Sequence, residues 1–222
     1  MSNRQICFQW IDPCRSERLK VAQEKLKESV LALGLEPVLY PAGPEMVKFE
    51  DILRFARERA NGGNFVWCNS DVTLIRNPYD VLDGGDEGEM VHGFHRREVP
   101  AGEICGGVDM YLIPCRAWDE WLGVNPPDLW CGATHIDWWL TRAPALRNCY
   151  QSHFGYIDHL THPESSASKG GNALYSHNIR EYNRWARESG AGRFERRVSL
   201  PLVGESLSPI SDLIKKISGK SK

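Results

Sequence analysis

The chain has 222 residues, of which 41% are hydrophobic and 25% charged, with a formal net charge of −2. That length allows one large domain or two small ones with a substantial core, and the near-neutral balance excludes long-range attraction of the whole molecule to a polyanion, leaving only local patches such as Arg96-Arg97 or Arg196-Arg197. No run approaches the 18 consecutive apolar residues of a membrane span.

The N-terminal MSNRQICFQWIDP lacks the apolar stretch of a signal peptide. The seven cysteines, at positions 7, 14, 68, 105, 115, 131 and 149, are odd in number and form no CxxC pair. Such a pattern suits neither a zinc knuckle nor a disulfide framework, and reduced thiols in a cytoplasmic protein are expected.

In chain order, ICFQWID (6–12) is a short strand ending at Asp12-Pro13. A helix over 16–34 follows, with Leu19, Ala22, Leu26, Val30 and Leu33 at helical spacing, Ser16 as N-cap and Gly34 at its end. EPVLYP (36–41) is a second strand, 49–63 a second helix closing on Gly62-Gly63, and FVWCNSD (65–71) a third strand. This β-α-β-α-β rhythm predicts an α/β protein with a mixed, mostly parallel central sheet flanked by helices. In such sheets ligands gather beyond the carboxyl ends of the strands, and Asn69-Ser70-Asp71 stands at such an end.

The second half reads differently. Strands are predicted over 89–96 and 106–114, and six of the eight tryptophans fall between Trp118 and Trp185. A short helix over 132–144 is expected to end at Pro144, 145–162 is strand-rich, and 177–190 is helical. The economical division is one domain over 1–222. Residues 5–85 form a nucleotide-binding half, 86–190 an acceptor half, and 205–222 a solvated, lysine-ended tail.

Four constellations bear chemistry. In the first, a carboxylate after a buried strand, Asp71, suits a hard divalent cation that also meets a diphosphate, with Asn69 and Ser70 as neutral partners; the bland alternative is a turn-former or helix cap. In GGVDMYLIP, Gly107 allows close approach, and Asp109 among apolar residues needs a partner or a role, such as binding sugar or acceptor hydroxyls. In WCGATHIDWWL, Asp137 is placed either to cap a helix or to act as a general base, and Trp138 offers an aromatic face to a sugar. Finally, DHLTHPESSASKGGN carries His159 and His162, able to meet a metal or phosphate, and Lys169, able to counter leaving-group charge.

The order of these features resembles the nucleotide-sugar glycosyltransferases of the GT-A fold: a strand ending in NSD, then GxDxxxxP with a tryptophan behind it, then Asp-Trp-Trp-Leu, then HxxH with a Gly-Gly loop and an Asn-bearing helix. The resemblance spans about residues 60–185. It implies transfer of a sugar from a nucleoside-diphosphate sugar to a hydroxyl acceptor (a glycan, a small molecule or, less in keeping with the charge, a modified nucleic acid), with Mn2+ or Mg2+ as cofactor. Asn69, Ser70 and Asp71 stand at the DxD position, with Asp71 at the metal. Asp109 falls on the sugar-side or acceptor-side aspartate, and Asp137 on the base of inverting members; in a retaining reaction Asp137 would position the acceptor. His159 and His162 stand where the branch keeps a histidine pair, with His162 the favoured ligand to metal or diphosphate. The sequence departs from the branch pattern in three places: Asn69 replaces an acidic residue, Ile136 a tryptophan, and Leu160-Thr161 fill the histidine pair.

Two other readings compete. A nucleotidyltransferase would carry a glycine-rich phosphate loop after the first strand, where this chain has WIDPCRSERLK. A non-catalytic nucleotide- or sugar-binding protein would keep the fold and show no dependence on Asp71 and Asp137.

Overall fold

The computed structural model describes residues 6–9, 17–40, 47–82, 90–114, 126–131, 135–160 and 173–191. In the N-terminal region the predicted alternation is present. Strand β1 (Ile6–Gln9) leads to helix α1 (Glu17–Ala32), β2 (Glu36–Leu39), helix α2 (Phe49–Ala60) and β3 (Asn64–Cys68). Helix α1 buries Leu26 and Val30, one turn apart, and Gly34 closes it at φ 73°, where a left-handed residue frees the chain to turn. Helix α2 buries Phe49, Ile52, Leu53 and Ala56, a 3-4 spacing that forms one apolar stripe. Glu50 and Asp51 in its first turn, and Arg57 and Arg59 in its last, both oppose the helix dipole.

The sheet has seven strands in the order β2-β1-β3-β6-β5-β7-β4, with β4 at Val72–Leu74, β5 at Val91–Val99, β6 at Ile104–Pro114 and β7 at Tyr150–Leu160. A short 3-10 turn, Pro78–Leu82, follows β4. The expectation of a mostly parallel sheet is corrected. Strand β1 pairs in parallel with β2 and β3, and β5 with β7, but β6 runs antiparallel to both β3 and β5, and β4 antiparallel to β7. The physical reason is the β5–β6 connection: Gly102 N–H donates to Glu98 O, and Glu98 N–H to Glu103 O, closing a tight hairpin that only antiparallel strands can share.

Apolar side chains cover both faces. One face packs Phe65, Trp67, Tyr111 and Ile113 against α2, α3 (Ile136–Ala145) and α4 (Ala173–Glu188). The other packs Val66, Cys68, Met110 and Leu112 against Leu26 and Val30 of α1. Pro144 does not end α3 as expected but sits inside its last turn, one residue before the helix stops. The approach to α3 is fixed by Asn178 of α4, fully buried, whose amide accepts from Trp130 N–H at 2.9 Å and donates to Trp130 O at 3.0 Å.

Among the described residues no helix is long and apolar enough to cross a membrane. Cys68, Cys131 and Cys149 carry thiols and are not joined in disulfides.

Candidate active site

Strand β3 ends at Cys68, so Asn69, Ser70 and Asp71 form a turn and not the strand end expected. The apolar residues that resume the run, Val72 to Leu74, are a separate strand at the far edge of the sheet. They pair with His159, Asp158 and Ile157 of β7. The polar triplet is therefore the hinge by which the chain leaves the sheet centre for its edge, with Asn69 meeting Asp109 midway along β6 and Asp71 meeting His159 of β7.

Two irregularities aim the neighbouring side chains at this turn. Along β5 and β6 the register passes from Phe94↔Met110 to His95↔Val108, leaving Asp109 without a residue opposite. Such a bulge breaks the alternation of a strand and re-aims a side chain. Along β5 and β7 it passes from Phe94↔His153 to Arg96↔Ile157, and the extra residues of β7 include Gly155 at φ 77°. After this shift Glu98 stands beside His159, and His159 beside Val72.

The result is a closed polar network. His159 Nε2 lies 3.3 Å from Asp71 Oδ2 and its Nδ1 lies 2.8 Å from Glu98 Oε2. Glu98 Oε1 lies 2.7 Å from Arg96 Nε, and Arg96 Nη1 donates to Asp109 Oδ2 at 2.8 Å. Asp109 Oδ1 accepts from Asn69 Nδ2 at 2.8 Å, and Asp109 O accepts from Asn69 N–H at 2.9 Å. The chain of contacts leaves the turn at Asp71 and returns to it at Asn69.

The electrostatics follow from these partners. Burial alone would lower the pKa of His159, but the hydrogen bonds to Asp71 and Glu98 outweigh it and hold the imidazole at about 9, so it is an imidazolium near neutrality. Burial raises the carboxyl of Asp109, and the Arg96 guanidinium opposes that rise. Asp137, second residue of α3, is pushed to about 6 by burial and then by the negative charge of Asp109, against the backbone N–H groups of Trp138 and Asp137 itself. Asp109 feels Asp71 as well, so it links the charges of Asp71 and Asp137. The N-cap of α3 is His135, at φ 75° with no side-chain cap bond. Asp137 thus meets first-turn amides without being the cap. Tyr111 O–H donates to Asp137 O at 2.8 Å, tying the start of α3 to β6.

Asn69, Asp71, Asp109 and His159 of the predicted set meet in one network, with Ser70 half-buried between the first two. Gly107 borders the network: a Cβ there would lie 3.4 Å from Arg96 Cζ, an ordinary contact with the guanidinium. Trp138 is 48% exposed beside Asp137, with the His135 ring 4.9 Å away and the Arg142 guanidinium 5.4 Å from its centroid. His162 and Lys169 lie outside the described residues. His159 is a residue of β7, and it is this histidine that meets Asp71. His177 lies elsewhere, 2.8 Å from Asp128 O.

Arg96 and Glu98 were missed as site residues. Arg96-Arg97 reads in sequence as a basic pair. In the fold Arg96 turns inward to Glu98 and Asp109, whereas Arg97 pairs with Asp158 at 2.7 Å on an exposed surface. The available signal was Glu98 two residues after Arg96, a spacing that puts both on one face of a strand.

Among the described residues no group of three or more His, Cys, Asp or Glu side chains is arranged to hold a metal ion unaided. The donor set nevertheless fits a hard cation that arrives with its own ligands. Asp71 is a partly exposed oxygen donor, and Mg2+ and Mn2+ are commonly held by one or two carboxylates plus substrate phosphates. The network also carries three carboxylates against two cations, before Asp137 adds a fourth carboxyl group.

No protein-family model matches the sequence, and no curated protein matches it either. Solved structures do. A glycosyltransferase involved in the glycosylation of the major capsid of PBCV-1 is similar over 74% of this chain and 96% of its own, at 15% identity and a TM-score of 0.50. A putative glucose-1-phosphate thymidylyltransferase from Bacillus anthracis covers 81% of this chain and 95% of its own at 9% identity and a TM-score of 0.45. A197 from STIV covers 72% and 86% at 11% identity and a TM-score of 0.43. At these identities the likeness is one of fold: the chain is an α/β, GT-A-like domain with a mixed sheet flanked by helices.

Proposed function

We propose that the chain transfers a sugar from a nucleoside-diphosphate donor to a hydroxyl acceptor, with Mn2+ or Mg2+ accompanying the donor. The observation that carries this reading is the joining of Asp71 and Asp109 in one network where carboxylates outnumber cations, with Asp137 close enough to feel the charge of Asp109. A bare diphosphate brought there meets net negative charge and is repelled, while a divalent cation reverses the sign. When bound, the cation supplies Lewis-acid stabilisation of the leaving diphosphate. Asp71 would hold it, with His162 as a second proposed ligand.

The remaining roles follow from the residues themselves. Asn69 and Ser70 would border the nucleotide sugar, with Gly107 and Asp109 behind them. The positive charges of His159 and Lys169 would lie toward the diphosphate. Asp137 would take the proton from the attacking acceptor hydroxyl in an inverting reaction, and a carboxyl held near 6 is better matched to that task at neutral pH than an ordinary aspartate. Trp138 would give its exposed ring face to the acceptor sugar. The inward pairing of Arg96 and the pairing of Arg97 with Asp158 favour a glycan or small-molecule acceptor over nucleic acid. The thiols fit a cytoplasmic site of action.

The test is turnover. Incubated with a panel of uridine-, guanosine- and thymidine-diphosphate sugars and Mn2+, the protein should release the nucleoside diphosphate from one of them, faster with acceptor present. Release of pyrophosphate from a nucleoside triphosphate instead would make it a nucleotidyltransferase. No turnover of any donor would leave a binding protein.

A further inference from the structure

We propose that Arg96 and Glu98 are positioning residues for the donor site, setting the orientation of Asp71 and Asn69 without touching the donor themselves. The inference deepens the reading above and rests on it. A carboxylate on a turn rotates freely unless something holds it, and Asp71 is held by His159. The imidazole, with a side chain only 8% exposed, has its second nitrogen fixed by Glu98. Glu98 has its second oxygen ion-paired with the Arg96 guanidinium at 2.7 Å, and Arg96 reaches on to Asp109, whose second oxygen holds Asn69. Arg96 is thus the point at which the two arms of the network join. A planar guanidinium with donors aimed in several directions can bridge two carboxylates at once, which a lysine ammonium does less well.

The alternative is that Arg96 serves only to neutralise the buried charge of Asp109. The two roles separate in the variant Arg96→Ala/Asp109→Asn. It has no Asp109 carboxylate to neutralise, and the new amide oxygen still accepts from Asn69. The arm through Glu98, His159 and Asp71 loses its anchor all the same. Three measurements are made on the full chain: thermal melting, imidazole 1H–15N spectra with the His159 signals assigned by their loss in His159→Gln, and titration of uridine diphosphate with Mn2+.

The double variant should melt close to wild type, show shifted His159 signals, and bind the nucleotide with Mn2+ roughly ten- to a hundredfold more weakly, the usual cost of losing a ligand's supporting partner. Arg96→Lys should recover only part of that loss. Glu98→Gln, nearly isosteric, carries the same expectation and stands in if the double variant does not fold. Wild-type affinity and an unmoved His159 spectrum in these variants would overturn the positioning role. A wild-type chain that binds no nucleoside diphosphate would remove the donor reading instead. The His159 spectrum then decides alone, shifted signals upholding the linkage from Arg96 to Asp71 and unshifted signals ending it.

Discussion

Strands β5 and β7 carry histidines at both ends of their shared ladder, and the two ends hold them in opposite charge states. At the first end, His92 Nδ1 lies 2.9 Å from His153 Nε2, and the Phe94 ring stacks on His153. Burial, and then the neighbouring imidazole, push His92 down to about 4, so it stays neutral. At the other end His159 lies between two carboxylates and is pushed up to about 9. Residue type and strand pair are the same. What differs is whether the partner is another imidazole or a carboxylate, and the bulges between Phe94 and Arg96 separate an apolar half of the ladder from a charged one. The charged half adjoins the turn at residues 69–71, and that is where chemistry is proposed.

The largest effect that sharpens this contrast is catalytic. Asp137→Asn should lower kcat roughly a hundred- to ten-thousandfold while leaving the fold intact. In the wild type the rate should rise with pH through a limb near 6, set by burial and Asp109, and that limb should vanish in the variant. Steady-state rates across pH 5 to 8 on both proteins check it.

A large stability effect belongs to Arg96→Ala, which strands the carboxyl of Asp109, itself 5% exposed. Breaking a buried pair from one side costs about 3–5 kcal/mol. Urea unfolding should show that loss, and adding Asp109→Asn should return most of it.

The two histidine ends predict opposite pH dependences of stability in the metal-free protein. His159, with its folded pKa raised, contributes stability that is full below about 6.5 and is lost as pH rises through about 9. His92, with its folded pKa lowered, contributes stability that is full above about 6.5 and is lost as pH falls through about 4. Each amounts to something on the order of 3 kcal/mol. Melting curves against pH should therefore lose their alkaline decline in His159→Gln and part of their acid decline in His92→Gln.

A smaller effect is confined to the apolar half. A Cβ at Gly93 would collide with the Tyr150 hydroxyl. Gly93→Ala should cost about 1–3 kcal/mol, the usual range for overpacking, while leaving the His159 spectrum unchanged.

The alternating elements of the first half were legible because their signals are local. The spacing of Leu26 and Val30, the stripe of α2 and the closing glycine are all read within a few residues. The turn residues Asn69 and Asp71, with Asp109, were also legible as polar groups that need partners, because they are set in apolar runs, and the fold joins them in one network. What the sequence hid was long-range. The insertion of β6 between β3 and β5 depends on a β3–β6 pairing whose partners lie far apart in the chain. The inward turn of Arg96 depends on bulges that appear only when strands are laid in register. For the same reason the HxxH spacing left open which histidine meets the turn, and the register of β7 brings His159 to Asp71.

Calorimetric titration of nucleoside diphosphates into wild type and Asp71→Ala, each with and without Mn2+, tests the central claim most directly. Wild type should bind one of them at least about tenfold more tightly with the cation than without, and Asp71→Ala should lose that difference. Binding that ignores both the cation and Asp71, or no binding at all, would contradict it.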